Sequence, residues 1–224
     1  MKESTAKQLL KKVENDYDLI AEEFSDTRKW LWPEFDNFKK YLKDRQTILD
    51  LGCGNGRLYE LLKDLKDLKY IGIDNNKKFV QLAKEKFKNI NFLYGNALSI
   101  PYPGKVDILF NIASFHHIPS KLLRIKCVQE MKKILKPNSV LILTVWNLFQ
   151  PRYFTYVLKS LFNYFIQLGK YDWNDTFIPW GDKKVKRYYH AFTKRELKKL
   201  FVKNGFEILE FTSNHHHCLV CKMK

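Results

Sequence analysis

The chain reads as an α/β domain built on a mostly parallel sheet with helices on both faces. Three observations predict this. Short apolar segments alternate with segments of helical periodicity from Thr47 to Val145, the pattern of consecutive β–α–β units. The runs Val106–Asn111 and Val140–Val145 are almost continuously apolar, as strands covered on both faces are. A glycine-rich turn, Asp50-Leu51-Gly52-Cys53-Gly54-Asn55-Gly56, joins a strand to a helix, a junction where such folds seat ligands.

Each element follows from local pattern. From Lys7 to Phe24, apolar residues Leu10, Val13, Tyr17, Ile20 and Ala21 recur at helical spacing. Ser25-Asp26-Thr27 breaks that helix, and Pro33 opens a second one through Phe35, Phe38, Tyr41 and Leu42, so residues 1–45 form a helical extension. Thr47–Asp50 is the first strand, and a helix through Leu58, Leu61, Leu62 and Leu65 follows the glycine loop. Tyr70–Ile73 is the second strand, followed by a helix through Phe79, Leu82, Ala83 and Phe87. Asn91–Tyr94 is a short third strand and Val106–Asn111 a fourth. A helix over Lys121–Leu135 ends at Lys136-Pro137-Asn138, before the fifth strand, Val140–Val145.

Between Trp146 and Thr193 the pattern breaks down, and residues 147–193 are read as an insertion rich in aromatics. A helix is expected near Tyr153–Leu168. Insertions of this length in a compact domain usually carry function. A last helix over Lys194–Asn204 stops at Gly205, and Phe206–Phe211 with His217–Lys222 makes an antiparallel closing pair. The whole, 1–224, fits one domain.

Composition bounds the function. Hydrophobic residues make up 45% of the chain and aromatics 15%, which excludes a disordered chain. No apolar run reaches the ~20 residues of a membrane span, and the polar Met1–Thr5 start has no secretory apolar segment; the expectation is a cytoplasmic protein. The formal net charge of +16 attracts polyanions such as RNA, DNA and acidic membranes, although lysine pairs such as Lys132-Lys133 and Lys198-Lys199 also suit a merely solvated surface. Cys53, Cys127, Cys218 and Cys221 give no disulfide framework. Cys218 and Cys221 lie in a strand-like run that points their sulfurs to opposite faces, so no metal is expected there.

The glycine loop has the spacing G-x-G-x-G with an acid two residues before the first glycine, unlike the G-x-G-x-x-G of dinucleotide folds. Asp50 suits the ammonium group of S-adenosylmethionine, a cofactor without phosphate. Asp74, at the end of the second strand, suits its ribose hydroxyls. Asp50 through Gly56, Asp74 and Gly95-Asn96-Ala97, together with the fourth strand, resemble the ordered motifs of class I methyltransferases. That resemblance implies a Rossmann-like sheet of seven strands, the last antiparallel. It also implies cofactor contacts from Tyr17, Asp50, Gly52, Cys53, Gly54, Gly56, Asp74, Asn75, Asn96, Ala97 and Asn111. The family more often has an acid at position 96; Asn96 still offers a carbonyl acceptor for the adenine amino group.

The flanking segments carry a narrower resemblance. Tyr17–Arg28, Trp32-Pro33, His116-His117, Trp146, Phe177-Ile178-Pro179-Trp180 and Arg187-Tyr188-Tyr189-His190 are similar to the tRNA wobble-uridine carboxymethyl methyltransferases. These comprise the eukaryotic stand-alone enzyme and the methyltransferase domain of the AlkB-type tRNA hydroxylase. The acceptor so implied is the carboxylate of 5-carboxymethyluridine. It is already ionised at neutral pH, so attack on a sulfonium methyl needs positioning rather than a general base. Arg28 and Arg187 suit that carboxylate as guanidinium forks, with His116 as a donor. Trp146, Trp180 and Tyr188 are candidates to stack on the flipped base, and His190 completes the candidate set. Lys170, Lys183, Lys184 and Lys186 are candidate phosphate contacts for the anticodon stem.

The stand-alone relative works with a small zinc-binding activator that pairs along a sheet edge, which implies a partner at Asn91–Tyr94. Two other readings stay open on sequence alone. One is a small-molecule O- or N-methyltransferase whose aromatic insertion lines an apolar pocket. The other is a non-catalytic RNA-binding protein that kept the fold.

Overall fold

A computed structural model describes residues 1–28, 32–166, 170–181 and 183–223, with only the backbone at 183 and 184. The first element, α1, runs Glu3–Asp26. A 3-10 helix, Pro33–Tyr41, follows with its proline at the first turn. The alternating portion is β1 (Thr47–Leu51), α2 (Tyr59–Leu62), β2 (Lys69–Asp74), α3 (Lys77–Lys86), β3 (Asn91–Tyr94), β4 (Val106–Ile112), α4 (Lys121–Ile134) and β5 (Leu135–Trp146). The insertion holds α5 (Pro151–Ile166), β6 (Asp175–Trp180) and β7 (Lys183–His190), and the chain closes with α6 (Lys194–Lys203), β8 (Phe206–Ser213) and β9 (His216–Met223).

Seven strands form one sheet in the order β3-β2-β1-β4-β5-β9-β8. The first five are parallel, and β9 runs antiparallel to both β5 and β8. The order reverses between β1 and β4, so the crevice at the carboxyl ends of these two strands is the place for a ligand. The sheet residues alternate between two cores. Leu49, Ile71, Leu109 and Leu141 pack under α4 and α6, whereas Ile48, Tyr70, Ile108 and Ile142 pack under α3 and the 3-10 helix.

Several expectations need correction in detail. The helix expected after the glycine loop amounts to the four residues of α2 flanked by turns, because three glycines at positive φ precede it. The second helix is 3-10 throughout. The Leu168 end of the expected insertion helix lies outside the described residues. The insertion also contains an unforeseen antiparallel hairpin, β6–β7, which forms a separate two-stranded sheet. Its core is Leu148, Val157, Ile178, Tyr189 and Ala191, and it packs on α1. Cys218 and Cys221 are buried free thiols in β9, held neutral by burial, Cys218 with its pKa pushed up to about 11.

Candidate active site

A cleft of about 400 Å³ opens at the carboxyl ends of β1, β2 and β4, roofed by α1 and β7; small-molecule sites of ~300–1,000 Å³ are of this kind. In the loop at its floor, Gly52, Gly54 and Gly56 all take positive φ, although only the first two line the cleft. A Cβ on Gly52 would lie 2.3 Å from the Ser114 hydroxyl, and one on Gly56 would lie 2.8 Å from the Phe92 ring. At Gly54 nothing lies within 4 Å. Gly54 therefore leaves space for a ligand, whereas Gly56 serves packing and does not line the cleft. Gly56, expected to contact the cofactor, thus lies off the cleft lining. Cys53 lines the cleft with its thiol buried.

Asp50 is 2% exposed and accepts from the Tyr70 hydroxyl at 2.8 Å. Burial pushes its pKa up to about 7 against the opposing Tyr70 bond. Asp74 is pushed up to about 6 by the same cause, although its oxygens accept from the Gly54 and Asn76 amides at 2.8 and 2.9 Å. Two buried carboxyls, Asp50 only partly offset by the Arg57 charge, fit a cofactor that brings an ammonium and ribose hydroxyls. Asn75, on the rim, lines the cleft.

The sign of the pH dependence follows. Folded pKa values above the unfolded ~3.9 mean that these two groups contribute stability fully below about pH 4 and lose it progressively as pH rises from there through 6 to 7. Cofactor affinity rises across the same window, because a cation binds the ionised carboxyl. Melting temperature followed from pH 4 to 8 should therefore fall less steeply between about pH 4 and 7 in Asp50→Asn than in the parent. The variant should also bind S-adenosylmethionine more weakly at pH 7.5. An unchanged slope would assign the pH dependence elsewhere.

Asn96 and Ala97 line the cleft as expected, but the Asn96 carbonyl already accepts from the Leu98 amide at 2.9 Å. That bond fixes the amide orientation and leaves one lone pair and the side-chain NH2 for an adenine. Asn111 is fully buried and absent from the lining; its NH2 donates to the Leu51 carbonyl at 2.8 Å and its Oδ1 has no partner. It ties the loop after β1 through Leu51 and lies off the cleft lining. Ile112, Ala113 and Ser114 line the cleft in its place.

At the mouth, four predicted residues converge. Tyr17, Arg28, His116 and Arg187 all line the cleft, and so does Trp146. Arg187 is 3% exposed and its guanidinium carbon lies 4.6 Å from the Trp180 ring, 5.2 Å from Tyr189, 5.6 Å from Trp146 and 5.9 Å from Tyr17. One of its terminal nitrogens donates to the Tyr17 hydroxyl at 3.3 Å, and its Nε has no partner. Arg28 sits over Phe24 at 4.7 Å and 5.7 Å from the same Trp180 ring; burial and the Arg187 charge lower its pKa. Among the described residues, no carboxylate pairs with either guanidinium.

Hydrogen bonds fix the imidazoles. Nδ1 of His117 donates to the Tyr188 carbonyl at 2.7 Å, so its Nε2 accepts from the Tyr17 hydroxyl at 2.7 Å. Nδ1 of His116 accepts from the Trp146 amide at 3.2 Å, which leaves Nε2 as that ring's donor. Burial holds both rings neutral, with the His117 pKa down to about 3.

The Arg187–His190 run divides in two. In β7 successive side chains point to opposite faces, so Arg187 and Tyr189 face the cleft while Tyr188 and His190 face inward. The Tyr188 hydroxyl donates to Asp175 at 2.7 Å, and His190 sits between Asp175 and Glu196 at 2.8 Å each. Neither Tyr188 nor His190 reaches the site; both anchor the hairpin. Asp172, Asp175 and His190 have the donor types of a metal site, yet Arg124 and Tyr188 already satisfy these oxygens. Trp180 backs the Arg187 guanidinium without lining the cleft. Sequence reasoning missed Tyr189, which stacks on His116 at 4.9 Å, and the α1 face of Lys7, Leu10, Lys11 and Glu14, which covers the cleft. Period-2 spacing in the hairpin and helical spacing in α1 were the available signals.

Residues 42–205 match the model of a methyltransferase domain family. A Schizosaccharomyces pombe tRNA (carboxymethyluridine(34)-5-O)-methyltransferase is 30% identical over 209 residues, 87% of this chain and 88% of the relative. The Mus musculus enzyme of that name, ALKBH8, is 33% identical over 61% of this chain, and the match spans only 20% of its length. A Methanosarcina mazei S-adenosylmethionine-dependent methyltransferase structure shares the fold, with TM-score 0.70 and 22% identity over 86% of this chain and 98% of that one. A Haloferax volcanii methyltransferase, solved in complex with the activator Trm112, does so with TM-score 0.64 and 17% identity over 94% and 96%. The chain belongs to the methyltransferase domain family, alongside the tRNA carboxymethyluridine methyltransferases, and its cofactor is S-adenosylmethionine.

Proposed function

We propose that the protein esterifies the carboxylate of 5-carboxymethyluridine at the tRNA wobble position. The observation that carries this is Arg187, a buried guanidinium boxed by aromatics with no carboxylate partner among the described residues. Burying an unpaired charge is costly unless a ligand supplies the counter-charge. A carboxylate acceptor does so, and Arg28 stands ready as a second donor beside the same tryptophan.

When bound, the cofactor supplies a methyl group: an O–CH3 bond forms as the S–CH3 bond breaks, and the carboxylate and sulfonium charges cancel. The chain's residues orient and desolvate the attacking oxygen. Neutral His116 and His117 are poor proton acceptors at neutral pH, which suits an acceptor with no proton to lose. Trp146 and Tyr189 offer faces for the uracil ring. Labelled cofactor should place base-labile methyl label on tRNA that carries carboxymethyluridine and none on tRNA that lacks it. Base-resistant label would instead mean a ring or ribose target.

A partner at the β3 edge belongs to the same reading. Among the described residues β3 pairs with β2 alone, and Tyr94 there is 52% exposed. The Haloferax volcanii neighbour was solved with an activator, and an open edge suits strand addition. A small zinc-binding activator is the proposed occupant; a monodisperse, fully active chain alone would count against it. Among the residues proposed for the anticodon stem, Lys170 and Lys186 are exposed, and Lys183 and Lys184 have side chains outside the described residues.

A further inference from the structure

A second cavity of about 420 Å³ lies between α4 and α6, with a lining separate from that of the catalytic cleft. Both helices pack on the same face of the sheet. Both also run the same way, from the ligand-binding end of the strands toward the opposite end. α4 leaves the end of β4 and leads into β5, and α6 leads into β8, whose first residue pairs with Met223 at the far end of β9. The resulting groove is lined by Lys121, Arg195, Lys199 and Lys203. Its one acid, Glu196, is committed to His190 at 2.8 Å, and its buried Arg124 to Asp172 at 2.9 Å.

The four cations are exposed and line one concave surface. In the groove none of the four has a carboxylate partner among the described residues. Arg195 to Lys203 spans about 12 Å of helix. The groove starts at Lys121, three residues after Ile118, which lines the catalytic cleft.

We propose that the α4–α6 groove is a track for an RNA phosphate backbone, holding the body of the substrate while its modified base enters the cleft. This rests on the RNA acceptor proposed above. A concave, extended row of cations fits a phosphodiester chain, whereas a planar lipid surface rests on convex ground.

The test is the double reversal Lys199→Glu/Lys203→Glu, with Arg195→Glu as a separate variant, in the full chain. Binding of tRNA should weaken about tenfold or more near 0.1 M salt, and the slope of log affinity against log salt should flatten by about 1–2. S-adenosylmethionine binding, and turnover of a short anticodon-loop oligonucleotide carrying carboxymethyluridine, should stay within about twofold. Unchanged tRNA affinity and salt slope would overturn the track. So would equal losses on tRNA and the short loop, or weakened binding only to phosphatidylserine vesicles. If the parent binds tRNA through the groove but esterifies neither RNA, the acceptor assignment fails while the track stands.

Discussion

Replacing Arg187 with methionine should lower kcat/KM for the modified tRNA at least about 100-fold, leave S-adenosylmethionine affinity within about twofold, and raise the melting temperature. The loss follows from removing the donor that orients the acceptor carboxylate. Charge-assisted, two-point contacts to a carboxylate are among the strong ones, and misplacing a nucleophile costs orders of magnitude. The gain in stability has a separate cause. Arg187 is 3% exposed, lacks a counter-charge and leaves its Nε unbonded. An apolar side chain of similar length removes that desolvation cost and keeps the contacts with Trp146, Trp180 and Tyr189. Activity and stability would then move in opposite directions, as they do where a site is built for a ligand. Arg187→Lys should fail nearly as badly, since an ammonium cannot supply the fork. A lower melting temperature together with weaker cofactor binding would mean that Arg187 is structural, and the proposed acceptor would lose its main support.

Gly52→Ala and Gly54→Ala should separate folding from cofactor binding within one loop. Both glycines have positive φ, +78° and +54°, so alanine costs about 1–2 kcal/mol at either position. At position 52 the new methyl also meets Ser114 at 2.3 Å from its oxygen and 2.6 Å from its Cβ. The loop after β4 must shift, and the total loss should exceed about 2 kcal/mol. At position 54 the methyl meets open space, so stability should fall by the backbone term alone. The space it takes is the ligand's, and S-adenosylmethionine affinity should fall about tenfold or more. Denaturant melts and calorimetric titrations of the two variants check both halves. Equal cofactor affinity in Gly54→Ala and the parent would place the ligand elsewhere in the cleft.

Much of the fold and the cofactor site was legible because its signals are local. Continuous apolar runs mark β4 and β5 as covered on both faces, and the Asp50–Gly56 turn with Asp74 marks where the strand ends meet. Each depends on residues close in the chain and on backbone preferences that no distant contact overrides. Even here, local pattern did not separate the three glycines, whose roles depend on Ser114 and Phe92 approaching from other elements. Nor did it show that Asn111 lies behind the loop, tied to Leu51.

The acceptor side divides differently. The sequence by itself determined the residue types: two arginines, two histidines and a set of aromatics in segments that flank the methyltransferase motifs. Only the tertiary structure decided which of them share a space. Folding the insertion as a hairpin sends Arg187 and Tyr189 to one face and Tyr188 and His190 to the other, because strand side chains alternate. Packing that hairpin on α1 brings Tyr17 within 3.3 Å of Arg187, a separation of 170 residues in the chain. The absence of a carboxylate beside Arg187 among the described residues is likewise a property of three-dimensional neighbours. Local periodicity fixes which way a side chain faces, but the charge left unpaired at a site depends on what the rest of the chain brings to it.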